Sequence, residues 1–269
     1  MPKINTNGIE IEYFECGSGE PIIFVHGASL DASFYDITAS LLKSDFKVIT
    51  YNRRGYQGSS RYSETGTIDN QVEDLKGLID GLNLKKVHLN GHSAGGAVSI
   101  AFAMKYPERV QTLALLDPML WQSMPIAEEI IQLFSVVGEK YQKEGVKSAM
   151  YHMWEMMCGS DVHQRMPKGG FERIIENAGT CFLELGAFVQ WKPSRQDISA
   201  LKMPVLTVIG TVCKTLHRVY RVYQEQVDLV KECIPHTIEY TLPNATHLLF
   251  IENPSDFAVA IKNFLKKHS

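Results

Sequence analysis

The sequence predicts an α/β fold: a mostly parallel sheet covered by helices on both faces, with a helical insertion after the sixth strand. Three observations predict it. Short continuous apolar runs, of the kind buried on both faces of a sheet, alternate with amphipathic helical patterns. One of those runs passes through a Gly-x-Ser-x-Gly turn straight into a small-residue helix. Residues 118–202 hold no core-type strand and are rich in Met and aromatic side chains.

The chain has 269 residues, enough for one large core or one core with an inserted subdomain. Its hydrophobic content of 45% and charged content of 21% are those of an ordinary globular protein. A formal net charge of −3 gives no electrostatic reason to expect nucleic acid or an anionic membrane as partner. The five cysteines (Cys16, Cys158, Cys181, Cys213, Cys233) are odd in number and irregularly spaced, which argues for free thiols in a reducing compartment. The N-terminus carries no signal-type apolar run, and no stretch approaches the roughly 20 apolar residues that span a bilayer. A cytoplasmic location is the expectation; oligomeric state is not readable.

The elements follow in order. Alternating IEIEYFE after Asn7-Gly8 predicts a hairpin, since Asn-Gly suits a tight turn with positive φ. PIIFV, FKVITY (46–51), KVHLN (86–90), VQTLALL (110–116) and PVLTVIG (204–210) read as buried strands, and HTIEYTL (236–242) as a less uniform last one. Between them, Ile68, Val72, Leu75, Ile79 and Leu82 fall on one helical face. A helix opening at SAGGAVSIAF stops before Pro107, another follows Cys213, and a last one begins at Pro254-Ser255. This divides the chain into a core domain, 1–117 with 203–269, and a helical cap insertion, 118–202. In the insertion, Trp121, Met153, Trp154 and Trp191 are candidates to line an apolar pocket, although such side chains also serve to pack the insertion onto the core.

The chemistry centres on KVHLNGHSAGGA. The strand, sharp turn and helix around Gly91-His92-Ser93-Ala94-Gly95 form the context a nucleophile elbow requires. Side chains two residues either side of the serine would clash in so tight a turn. Ser93 is thereby lifted out at the carboxyl end of the sheet, above a helix N-terminus that favours developing negative charge.

This pattern resembles the α/β-hydrolase superfamily, and other segments agree. FVHGASLDASF has the His-Gly that opens the oxyanion loop after that superfamily's third strand. The resemblance implies that the backbone N–H groups of Ala28 and Ala94 bind the oxyanion. YNRRGYQGSS is similar to the loop after the fourth strand, with Asn52 where an acid is usual. LPNATHLLFIENPSDFAVAIKNFL resembles the segment carrying the catalytic histidine. The likeness covers nearly the whole chain and implies an α/β-hydrolase fold with a helical cap inserted after strand 6.

A serine needs a base within hydrogen-bond reach. Among nine histidines, His247 lies just after the last strand, in the loop the superfamily uses. His26 sits in the oxyanion loop, His92 inside the elbow, and His217 one strand too early. The base in turn needs a carboxylate to hold its tautomer. In the commonest layout that acid follows the seventh strand, yet here the sequence reads TVIGTVCK, with Cys213 at the expected place and no Asp or Glu before Glu225. A neutral thiol is a weak acceptor. TLALLDPML ends the sixth strand in Asp117, beside the strand that carries Ser93. Haloalkane dehalogenases and zearalenone-type lactone hydrolases place their acid there, and the second group uses serine. Asp-Pro is also a common turn starter, but the gap at Cys213 makes Asp117 the candidate acid.

The reading is therefore a serine hydrolase that cleaves a carboxylic ester or lactone of an apolar small molecule, with Ser93, His247 and Asp117 as the triad. No metal or organic cofactor is called for. Carbon–carbon bond hydrolases, perhydrolases and lyases on the same fold stay open, as does a non-catalytic ligand receptor. A lyase would want a cap-side cation, for which Lys192 or His152 could serve.

Overall fold

In the computed structural model, residues 1–61, 66–212 and 217–268 are described. An eight-stranded sheet has the order β1-β2-β4-β3-β5-β6-β7-β8. The strands are β1 (Lys3–Thr6), β2 (Ile9–Cys16), β3 (Pro21–Val25), β4 (Lys47–Tyr51), β5 (Val87–His92), β6 (Val110–Leu116), β7 (Val205–Gly210) and β8 (Ile238–Leu242). The first two pair antiparallel around Asn7-Gly8, both at positive φ, and β2 meets β4 antiparallel. Every later pairing is parallel. This is the α/β-hydrolase fold expected from the motifs. β3 and β6 have the expected bounds, and β4, β5, β7 and β8 start one or two residues later than expected. β5 also runs on through Gly91 to His92, so the elbow is a direct continuation of the strand.

Alternation along the central strands sorts side chains between two helical layers. Ile23, Val25, Leu89, Leu113 and Leu115 point to one layer. There they meet α2 (Ile68–Gly81), α3 (Ala94–Lys105) and α10 (His217–Cys233). Ile22, Phe24, Val48, Leu206 and Val208 point to the other, where they meet α1 (Asp36–Leu42) and α12 (Pro254–Lys266). These strands are therefore apolar on both faces, which is why they read as continuous hydrophobic runs.

Between β6 and β7 the chain forms α4 (Ala127–Glu144), α5 (Val146–Cys158), α6 (Val162–Arg165), α7 (Gly170–Glu176), α8 (Ala178–Phe188) and α9 (Arg195–Ser199), with no strand among them. A buried ion pair ties this segment to the core: Arg53 donates to Glu184 of α8 at 2.8 Å, with both side chains nearly solvent-free. Tyr56 donates to the other Glu184 oxygen at 2.8 Å.

Candidate active site

Ser93 sits between β5 and α3 at φ 52° and ψ −119°, a region that L-residues rarely occupy. Its neighbours hold it there. The Ser93 N–H donates to the Leu116 carbonyl at 3.0 Å, and its carbonyl accepts from Gly96 and Met119 at 2.8 and 2.9 Å. The two flanking glycines are required by contact: a Cβ on Gly91 would lie 2.5 Å from the Gly95 carbonyl oxygen, and one on Gly95 2.2 Å from that of Val25.

Asp117 is the first residue beyond β6 and also has positive φ, 43°. Its N–H donates to Val208 of β7 at 3.1 Å, which fixes the carboxyl at the end of the sheet. His247 arrives from the loop after β8. That loop is clamped by Glu252, which accepts from the Thr246 N–H and hydroxyl and pairs with Arg165 of α6. The imidazole Nδ1 lies 3.2 Å from Asp117 Oδ2, and both side chains are buried. Asp117 Oδ1 has no hydrogen-bond partner among the described residues. Cys213 and Lys214, at the position where the acid is usual, lie outside the described residues.

Two further rings hold the imidazole. His92 Nε2–H donates to the His247 carbonyl at 2.9 Å. Tyr223 of α10 lies flat on the imidazole, with 4.8 Å between centroids and 7° between planes. Burial pushes His247 down to about 3, so at neutral pH it is an unprotonated base. Burial also pushes the Asp117 carboxyl up, and the His247 Nδ1–H is the donor placed to oppose that.

The loop after β3 packs directly on the elbow: a Cβ on Gly27 would be 3.1 Å from the Ser93 Cβ. Ala28 follows Gly27, and Ala94 opens α3 immediately after Ser93. The loop's path is set by Arg53. Its backbone N–H donates to His26 Nε2 at 3.0 Å and its Nε to the His26 carbonyl at 2.9 Å. With Nε2 accepting, His26 Nδ1–H donates to Gly27 at 2.8 Å, which requires a neutral ring.

Ser93, Asp117 and His247 share the wall of one cavity of roughly 70 Å³. The rest of that wall is mostly apolar: Met119, Trp121 and Phe134 from one side, Met156 and Met157 of α5, Leu185 of α8, and Val222 and Tyr223 of α10. Gln226 adds one amide, whose oxygen accepts from the Leu120 N–H at 2.6 Å. Of the four expected pocket residues, Trp121 is on this wall. Met153 and Trp154 are packed in the interior, 2% and 1% exposed, and the Trp154 indole donates to Ser29 Oγ at 3.2 Å. Trp191 packs half-buried against the core, away from the cavity wall. Neither Lys192 nor His152 is on the described wall. Tyr223, Gln226, Arg53 and Glu184 carry no local motif; only long-range packing brings them here.

The family model for the α/β hydrolase fold matches residues 20–142, the span from β3 through the elbow into α4. The same architecture recurs over the full chain in a thermophilic esterase from Thermogutta terrifontis, with TM-score 0.78, 27% identity, and coverage of 100% of this chain and 99% of that one. The chain belongs to the α/β-hydrolase superfamily. Two further relatives match part of the chain. A cis-3-alkyl-4-alkyloxetan-2-one decarboxylase of Shewanella oneidensis is 32% identical over 118 residues, 42% of this chain and 37% of that protein. A 2-hydroxy-6-oxononadienedioate/2-hydroxy-6-oxononatrienedioate hydrolase of Pseudomonas putida is 36% identical over 114 residues, 40% of each. These matches therefore span less than half of either relative's length. As to the membrane, no described helix of this α/β hydrolase is long and apolar enough to cross one.

Proposed function

We propose that the protein hydrolyses a carboxylic ester or lactone of an apolar small molecule through an acyl-enzyme. One observation carries the reading: Ser93 shares an apolar-walled cavity with His247, whose Nδ1 lies 3.2 Å from Asp117. Ser93 Oγ attacks the carbonyl while His247 Nε2 takes its proton. Asp117 holds the Nδ1–H tautomer and stabilises the imidazolium that forms. The Ala28 and Ala94 N–H groups receive the oxyanion. His247 then returns the proton to the leaving alcohol, and water repeats the sequence on the acyl-enzyme. In a lactone the leaving alcohol stays tethered, and the product is one hydroxy acid.

The wall favours a neutral, apolar substrate, because no Lys or Arg lines it among the described residues. Carbon–carbon bond hydrolysis is the second reading, favoured by the name of the Pseudomonas putida relative. The test is turnover of p-nitrophenyl acetate by the wild type and by Ser93→Ala. Steady hydrolysis with a pre-steady-state burst, both lost in Ser93→Ala, is the expected result. No turnover above the Ser93→Ala blank overturns the ester reading and moves the carbon–carbon and receptor readings ahead.

A further inference from the structure

A second apolar pocket, roughly 270 Å³, opens beside the catalytic cavity, between α4 and α8. The two share Trp121, Phe134 and Leu185 as a common partition. Trp121 and Phe134 stack with 6.3 Å between centroids and 21° between planes, so two rings and one aliphatic side chain make up the shared wall. At roughly 70 Å³ the catalytic cavity is far smaller than the about 300–1,000 Å³ usual for small-molecule sites. It accommodates the reacting carbonyl and its nearest carbons, and a larger substrate must extend elsewhere.

Two helix-interior glycines face open space in the outer pocket. Gly138 of α4 and Gly186 of α8 both line it, and a Cβ built on either meets nothing within 4 Å. Glycine within a helix is less stable than alanine. Neither position requires it for φ or for close approach. The remaining lining is apolar, and Ile131 on its rim is half exposed.

We propose that this outer pocket is the binding site for the distal apolar chain of the substrate, reached when the Trp121–Phe134–Leu185 partition turns aside. The substrate class is then an ester or lactone bearing a medium to long alkyl or aryl extension. The inference rests on the hydrolase reading for its substrate, but not for the existence of the site.

The test fills the pocket without touching the reacting groups. Gly186→Leu and Gly138→Leu each place a side chain in open space, and circular dichroism with thermal melts checks that they fold. The kcat/KM values of wild type and variants are compared on p-nitrophenyl decanoate and p-nitrophenyl acetate. The decanoate-to-acetate ratio is expected to fall at least tenfold in both variants. An unchanged ratio, or a wild type that hydrolyses acetate but not decanoate, overturns the proposal while leaving the hydrolase reading intact. If the wild type hydrolyses neither ester, the hydrolase reading fails, and calorimetry then decides the site. In that case, p-nitrophenyl decanoate binding by Ser93→Ala that weakens at least tenfold on adding Gly186→Leu supports the site, and unweakened or absent binding overturns it. Gel filtration covers the other occupant: a wild-type dimer that becomes monomeric in Gly186→Leu would show the groove to be covered by a second copy, and overturns the proposal too.

Discussion

Asp117 meets His247 across the ends of two strands that are not neighbours. The acid follows β6, the histidine follows β8, and β7 lies between them in the sheet. The approach works because Asp117 leaves its strand at positive φ, anchored to Val208, while the histidine loop folds back over the end of β7. A Cβ on Gly210 would sit 2.2 Å from the Ala245 carbonyl oxygen, so the last residue of β7 must be small for the loop to pass.

Asp117→Asn is accordingly expected to lower kcat by about a thousandfold or more, with KM little changed, because an amide can hold the imidazole in the wrong tautomer. Stopped-flow and steady-state rates on p-nitrophenyl acetate, with Ser93→Ala as blank, check it. Near-normal rates would show that His247 works without this carboxylate.

The Arg53–Glu184 pair gives a stability prediction. Both charges are out of water, and removing one partner strands the other, at a cost of about 3–5 kcal/mol. Urea unfolding of Glu184→Leu should therefore show a loss of that order. The double variant Arg53→Leu with Glu184→Leu should lose less than Glu184→Leu alone, since no buried charge is left unpaired. A double variant that loses the sum of the two single effects would show that the pair's packing, not its charge, matters.

The third prediction concerns pH and rests on His26 and His92. Both are fully buried, and burial first of all holds their rings well below the ordinary 6.5. Below pH 6.5 the unfolded chain takes up these two protons and the folded chain does not. Stability should then fall as pH drops from 6.5, by up to about 3 kcal/mol per pH unit for these two together, and His247, also held down by burial, adds to the fall. Urea midpoints measured at pH 7.0, 6.0 and 5.0 check the sign, and a flat profile would contradict it. The coupling of His26 to the Arg53 N–H also places the acid-sensitive bond at the root of the loop after β3.

Sequence alone determined the sheet, the elbow and the order of the elements. Each depends on local chemistry: two-sided apolar strands, Gly91 and Gly95 around a serine that no larger residue could flank, and an Asn-Gly turn. Sequence also brought forward Asp117, because the stretch through Cys213 offers no carboxylate; what it could not supply was the 3.2 Å approach to His247, which depends on three strands and a loop agreeing in space. The pocket was the least legible part. Trp121, Met153, Trp154 and Trp191 are alike in composition, yet one lines the cavity and three are packed elsewhere. A Met or Trp buries well against either a core or a ligand, and only the path of the helices between β6 and β7 decides which. The same holds for Tyr223 against His247 and Arg53 against Glu184. These contacts join residues far apart in the chain, whose side-chain types carry no periodic or motif signal, so tertiary structure alone decided them.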